Sequence, residues 1–315
     1  MPLVYGDHPA TVLRMAESAF ATPAFVMLDR YGFLVVEGAK AVEFLQGQLT
    51  CDMRVASAVN AVQGAWCTPK GRVVCSLAAW PVSGERVILR MAADLLASTA
   101  ERLGRYAALS RVRVVPADMR CVGLLDIDDA ELRSRLSLPV VAEADSIAEI
   151  EGGALFQSDT GGTRAELWLV AEAADSWRQR LSAQMREGSD NDWSVALVRN
   201  AIAEVHAATQ ELFLPQMLGY DTNGRVSFRK GCYPGQEIVA RTHYKGGVKR
   251  HLRHLQGGGT PPAPGVGLDI NGQTAGTVVA SARTGDARCE LLAVVADDPA
   301  ASVFRAGEME FHLLP

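Results

Sequence analysis

The stretch Ser227-Phe228-Arg229-Lys230-Gly231-Cys232-Tyr233-Pro234-Gly235-Gln236-Glu237-Ile238-Val239-Ala240-Arg241 gathers more chemically capable side chains than any other part of the chain. Gly231 and Gly235 allow backbone dihedrals closed to other residues. Pro234 fixes its own φ and biases Tyr233 toward an extended form, so Cys232 is expected on a tight loop. Arg229 and Lys230 precede the thiol, and residues 236–241 read as a short helix whose N-terminus lies near the sulfur. Cationic neighbours and helix-end amides both favour the thiolate, the nucleophilic and metal-binding form of cysteine. Residue types alone leave two readings open: a presented, reactive thiol, or a buried structural cysteine in a Gly-Pro turn.

Downstream, Arg229, Lys230, Arg241, Lys245, Lys249, Arg250 and Arg253 stand against one acid, Glu237, a local charge of +6 in a chain whose net charge is −5. Such a patch suits an anionic ligand; the alternative is a solvated basic face. The mild overall charge gives no global reason to expect nucleic acid, so direct nucleic-acid binding is not expected. His243, His251 and His254 read as surface residues, not metal ligands.

The 315 residues exceed one ordinary domain, and 48% hydrophobic with 21% charged residues fits a soluble globular protein with more than one core. The cysteines at 51, 67, 75, 121, 232 and 289 include no C-x-x-C pair and no zinc or ferredoxin spacing. Scattered free thiols fit a reducing compartment. The N-terminus has neither a signal-peptide core nor the acid-poor bias of a transit peptide, and no apolar run approaches a membrane span. A cytoplasmic protein without membrane association is therefore expected.

These residues need elements to place them. After an irregular segment over 1–23, residues 25–36 read as strand, broken at 29–32, and Val42, Leu45 and Leu49 fall at helical spacing toward Thr50. Strands are expected at 61–67 and 72–80, joined by a Pro69-Lys70-Gly71 hairpin link, and at 86–90. A helix carries Leu95, Leu96, Thr99, Leu103 and Tyr106, and 111–114 alternates as an edge strand does. A second set follows, with no internal repeat visible: strand at 119–127, short helix at 129–136, and two or three strands over 147–170, broken at Gly152-Gly153 and at 159–162. Trp177, Leu181 and Met185 mark one helix; Trp193, Leu197, Ala201 and Val205 mark the next, capped from 188–192. Beyond the loop-like 257–265, strands at 276–282, 290–295 and 308–313 form a small all-β module. Mixed strands and helices with hairpin links give an α+β fold, not a doubly wound parallel sheet.

The signature Lys-Gly-Cys-Tyr-x-Gly-Gln-Glu followed by Val-Ala-Arg resembles that of the YgfZ proteins. These are folate-binding relatives of the glycine-cleavage T protein and include mitochondrial iron–sulfur assembly factors. Phe44-Leu45-Gln46-Gly47-Gln48-Leu49-Thr50-Cys51-Asp52, Thr68-Pro69-Lys70-Gly71-Arg72 and Ala208-Thr209-Gln210-Glu211-x-Phe213-x-Pro215-Gln216-Met217 fit in the same order, so the likeness spans most of 25–255. It implies two mixed sheet-and-helix domains around a central channel plus a C-terminal β-barrel. The expected division is 1–117, 118–245 and 246–315, with interleaving of the first two left open.

It further implies tetrahydrofolate or a derivative as ligand, with Trp193 and Tyr31 as flat rings for the pterin. Lys70, Arg72, Gln216, Gln236, Glu237 and Arg241 are the further candidate contacts. A solvated hairpin-tip Lys70, backbone-capping glutamines and a core Trp193 remain the plain alternatives. Cys232, with Arg229 and Lys230 lowering its pKa, becomes the reactive thiol. A transient iron–sulfur cluster there needs further ligands from a second protomer or a small thiol. Expected partners are folate, iron–sulfur assembly or client proteins, and tRNA-modifying enzymes. The implied role is accessory: cluster assembly or repair, with an indirect effect on tRNA modification. A folate-dependent one-carbon transferase and an RNA-binding module are the alternatives.

The sequence departs from the pattern in two places. Cys75-Ser76 stands where aminomethyltransferases carry an Asp pair, removing the acid/base group that glycine cleavage uses. Arg199 and Ala201 replace residues of a turn where some relatives place a glutamate, leaving Glu204 as a displaced candidate.

Overall fold

The computed structural model describes residues 22–141, 143–159, 163–297 and 303–314. Most of the segment expected to be irregular at 1–23 lies outside the described residues, as do residues 160–162 of the expected turn.

The strand expected at 25–36 with a break at 29–32 is two strands, and they lie in two different sheets. Ala24–Met27 pairs with Met119–Leu125 and with the two-residue strand Arg186–Glu187, whereas Tyr31–Glu37 pairs with Arg86–Ala92 and Arg113–Ala117. The turn at 28–30 therefore carries the chain from one sheet to the other. Around Tyr31–Glu37 grows a five-stranded antiparallel sheet in the order Val62–Cys67, Val73–Ser83, Arg86–Ala92, Tyr31–Glu37, Arg113–Ala117. Arg113–Ala117 has one partner strand, as its alternating charges predict. The other sheet has six strands, ordered Arg186–Glu187, Ala24–Met27, Met119–Leu125, Arg164–Val170, Gly153–Gln157, Ile147–Ile150. Its one parallel pairing is that of Arg186–Glu187.

The sheets face each other across a layer made by Phe33, Val35, Trp80 and Ile88 from one and Val26, Cys121, Phe156 and Trp168 from the other. Alternation along each strand decides this: Phe33 and Val35 point into the layer, while Leu34 and Val36 point to the opposite face. That opposite face is covered by Leu96–Leu109 through Leu103 and Ala107. The outer face of the six-stranded sheet is covered by Ala130–Arg135 and by Ala171–Ser182, which buries Trp177 and Leu181. Met185, expected on that last helix, follows its end.

The helix carrying Trp193 spans Asp190–Arg199 and starts from a capping box between Ser189 and Asp192. It ends earlier than the 193–205 spacing predicts, because Ala201 takes φ 52° and turns the chain away. Ala201 and Val205 leave the stripe. The C-terminal module is a closed six-stranded barrel, not three strands: Arg250–Gly258, Gly267–Ile270, Gln273–Gly285, Arg288–Ala296, Val303–Ala306 and Met309–Leu313. The first barrel strand runs straight through Gly257, where composition alone reads as loop. Asn191 ties the barrel to the helix, its amide bonding both the N–H and the C=O of Arg283 at 2.8 and 2.9 Å. Among the described residues, no helix is long and apolar enough to cross a membrane.

Candidate functional site

Cys232 is exposed, whereas the other five thiols are buried. The flanking side chains explain this. Lys230 and Tyr233 turn inward, leaving Gly231 and Cys232 at the surface. The Lys230 Nζ donates to the carbonyls of Leu49 (2.6 Å) and Cys51 (2.8 Å) and lies 5.3 Å from the centre of the Tyr233 ring. Burial pulls the Lys230 pKa down to about 8, opposed by the charges of Cys51 and Asp52, so the amine is an ammonium at neutral pH. This corrects the expectation that Lys230 stands beside the sulfur: its charge is spent on two carbonyls as an anchor for the loop. Arg229 is exposed.

Gly235 holds the other end. It sits at φ 83°, and a Cβ there would come within 2.5 Å of the Thr68 carbonyl oxygen and 2.6 Å of the Gly71 Cα. Only glycine lets the 68–71 hairpin tip press against the start of the Gln236–Lys245 helix. Among the other expected contacts, Gln236 donates to the Lys230 carbonyl at 3.5 Å, Gln216 to the Val239 carbonyl at 2.6 Å, and Arg72 to the Leu212 carbonyl at 2.6 Å. The two glutamines thus cap backbone, although the Gln216 Oε1 is buried without a partner. Lys70, Glu237 and Arg241 are exposed.

Trp193 and Tyr31 lie elsewhere, in the layer between the sheets, inside a buried polar network. The Tyr31 hydroxyl donates to Glu204 Oε2 (2.6 Å) and accepts from Trp193 Nε1 (3.0 Å). The Arg90 guanidinium lies 4.1 Å over the Tyr31 ring, donates to Glu204 Oε1 at 2.8 Å, and grips Glu166 through two bonds of 2.9 and 2.5 Å. Trp168 Nε1 donates to Glu166 at 2.8 Å. Trp193 is 0% exposed, and its ring fits only because position 123 is glycine, where a Cβ would lie 2.5 Å away.

The expectation that both rings present a flat face to a pterin is therefore corrected. Arg90 covers Tyr31, and Trp193 is sealed in the core. Glu204, the displaced candidate carboxylate, belongs to the same network. Burial raises its pKa, but the Arg90 charge, then His206 and the Tyr31 hydrogen bond, outweigh this and hold it at about 2. Both of its oxygens are occupied, one by the Tyr31 hydroxyl and one by Arg90.

No family model matches the chain. Over 287 residues it is 28% identical to the tRNA-modifying protein YgfZ of Yersinia pseudotuberculosis, covering 89% of this chain and 87% of that protein. It is 27% identical over 279 residues to the protein of the same name from Sodalis glossinidius, covering 87% and 85%. The chain is similar to the YgfZ proteins over most of its length. Its fold is that of the glycine cleavage system aminomethyltransferase T from Bartonella henselae, with a TM-score of 0.73, 17% identity, and coverage of 94% of this chain and 86% of that one.

The two departures from the pattern have physical explanations in this chain. Where the aminomethyltransferase pattern has its Asp pair, Cys75 is fully buried and the Ser76 Oγ accepts from the Val205 N–H at 2.9 Å. Arg199 faces the barrel, where it grips Glu290 through contacts of 2.9 to 3.3 Å beside His254, at a crevice of about 580 Å³. The arginine thus joins helix to barrel and has no part in the inter-sheet layer. Arg90 and Glu166 were the residues that pattern reading passed over. The signal was present: past the opening Arg86 and Arg164, each is the one charge in an apolar buried strand, and such a charge requires a buried partner. Among the described residues, no three His, Cys, Asp or Glu side chains are grouped to hold a metal ion.

Proposed function

We propose that this protein is an accessory factor in tRNA modification whose chemistry passes through the Cys232 thiol. The observation that carries the reading is the exposure of this one sulfur on a loop held rigidly from both sides, by the buried Lys230 and by Gly235, while the remaining thiols are sealed. A nucleophilic or metal-contacting thiol must be reachable, and structural cysteines are not. The Yersinia and Sodalis proteins are named for tRNA modification, and that name supplies the process in this reading.

In this reading an iron–sulfur cluster is cargo. Cys232 offers one thiolate, and the remaining ligands come from a client protein, a second protomer or a small thiol. In the same reading a folate ligand is held away from the Tyr31–Trp193 pair, where Arg90 lies over one ring and the core encloses the other. Glycine cleavage is disfavoured by the absence of a carboxylate at Cys75-Ser76. The test is a deletion strain whose total tRNA is digested and its modified nucleosides quantified. Loss of one or more modified nucleosides, restored by the gene on a plasmid, is expected; an unchanged profile overturns the reading.

A further inference from the structure

We propose that the exposed face of the Gln236–Lys245 helix, with the turn that follows it, is a docking platform for single-stranded or loop RNA. The inference deepens the function proposed above and rests on it for its purpose, but its evidence is separate. Two features coincide on this surface.

The first is a set of cations without ion-pair partners, although Glu237 lies on the same helix and Asp221 lies 3.7 Å from His243. Arg229, Arg241, Lys245, Lys249 and Arg250 are all exposed, and among the described residues none has a carboxylate within 4.0 Å. Many exposed arginines elsewhere come paired, as in Arg102–Glu211, Arg113–Glu37 and Arg178–Glu187, while the unpaired Arg111, Arg283 and Arg288 are not beside the rings of this helix. Even the neighbouring Arg253 reaches Asp297, at 3.8 Å. Arg241 and Lys245 are one helical turn apart on one face, so their charges form a row about 6 Å in step. Glu237 is the one acid on this helix. A patch of unpaired cations in an acidic chain is a binding surface for phosphates.

The second feature is an aromatic step. Phe228 stacks on His243, with centroids 3.9 Å apart and planes 17° apart, and Tyr244 meets His243 edge-on at 4.9 Å. The Tyr244 ring is 68% exposed. Rings beside a cationic row are the usual means of holding unpaired bases, which stack on any flat π-face. An acidic polypeptide would match the charges and leave the step unused, and a duplex would offer no free base faces. The preceding loop brings Cys232 to one end of this platform, so a bound strand would lie beside the thiol.

The test is fluorescence anisotropy with a fluorescein-labelled RNA stem-loop carrying a seven-nucleotide loop, using the full chain between 50 and 200 mM KCl. Five phosphate contacts predict a slope of log K against log[KCl] of about −3.5. Lys245→Glu with Lys249→Glu is expected to weaken binding at least tenfold and flatten the slope by about 1.4. Tyr244→Ala is expected to weaken binding about tenfold with the slope unchanged. The platform is overturned by a wild-type slope shallower than −1. It is equally overturned if Tyr244→Ala binds like wild type while a polyglutamate peptide displaces the RNA, which would make an acidic polypeptide the occupant. Alkylation of Cys232 at the wild-type rate in each variant verifies that the loop is intact. Failure of RNA binding with restored nucleosides removes the platform alone, whereas an unchanged nucleoside profile in the deletion strain removes the proposed function.

Discussion

Replacing Glu204 by Gln removes one of the two carboxylates that share the buried Arg90 guanidinium. In the folded chain the Glu204 pKa lies at about 2 against an ordinary 4.5. By linkage, that depression is worth about 3 kcal/mol at neutral pH. Removing one partner of a buried pair costs about 3–5 kcal/mol, and the low end applies because Arg90 keeps Glu166. The sign with pH follows. A carboxylate held below its unfolded pKa stabilises the fold fully above that value and loses its contribution as pH falls toward the folded one. The gap between wild type and Glu204→Gln should therefore be about 3 kcal/mol at pH 7 and about 1 kcal/mol at pH 3. Urea unfolding followed by tryptophan fluorescence at pH 7, 5, 4 and 3 measures it, since Trp168 and Trp193 belong to the network. A variant within about 0.5 kcal/mol of wild type at pH 7, or a gap constant with pH, would refute the picture of Glu204 as a locked, ionised structural charge.

Three further outcomes follow from the loop. Lys230→Ala should cost about 2–3 kcal/mol of stability by urea midpoint, because two buried carbonyls lose a charged donor; a cost under about 0.5 kcal/mol would mean that the anchor is idle. Gly235→Ala should lose at least about 2 kcal/mol, since the new Cβ meets backbone atoms that cannot swing aside and the residue keeps a left-handed φ; wild-type stability would show that the hairpin tip and helix start are not in contact. Brief native treatment with iodoacetamide should modify Cys232 alone by peptide mass mapping, with equal labelling of Cys51 or Cys289 counting against the assigned burial.

Much of the architecture was legible because alternation and turn residues are local. Val62–Cys67 and Val73–Ser83 were visible as a hairpin around Lys70 for that reason. What sequence could not give was which sheet a strand joins. Residues 24–37 carry one apolar pattern, yet the two halves belong to opposite layers, and that choice is made by long-range pairing. The barrel strand Arg250–Gly258 hid behind glycine and charge, because its outward face is solvated and Gly257 accommodates the close approach of Phe311. At the site, the signature located Cys232 and the glycines that present it. It did not say that Lys230 points inward, nor that Tyr31 and Trp193 share their surroundings with Arg90, because those facts are set by residues more than 50 positions away in the chain.

The most direct measurement is the modified-nucleoside profile of total tRNA from the deletion strain carrying Cys232→Ser, beside the same strain carrying the wild-type gene at equal protein level. Loss of rescue by the serine variant, with its urea midpoint unchanged, is the predicted result. Full rescue by a chain that has lost its one exposed sulfur would contradict the account.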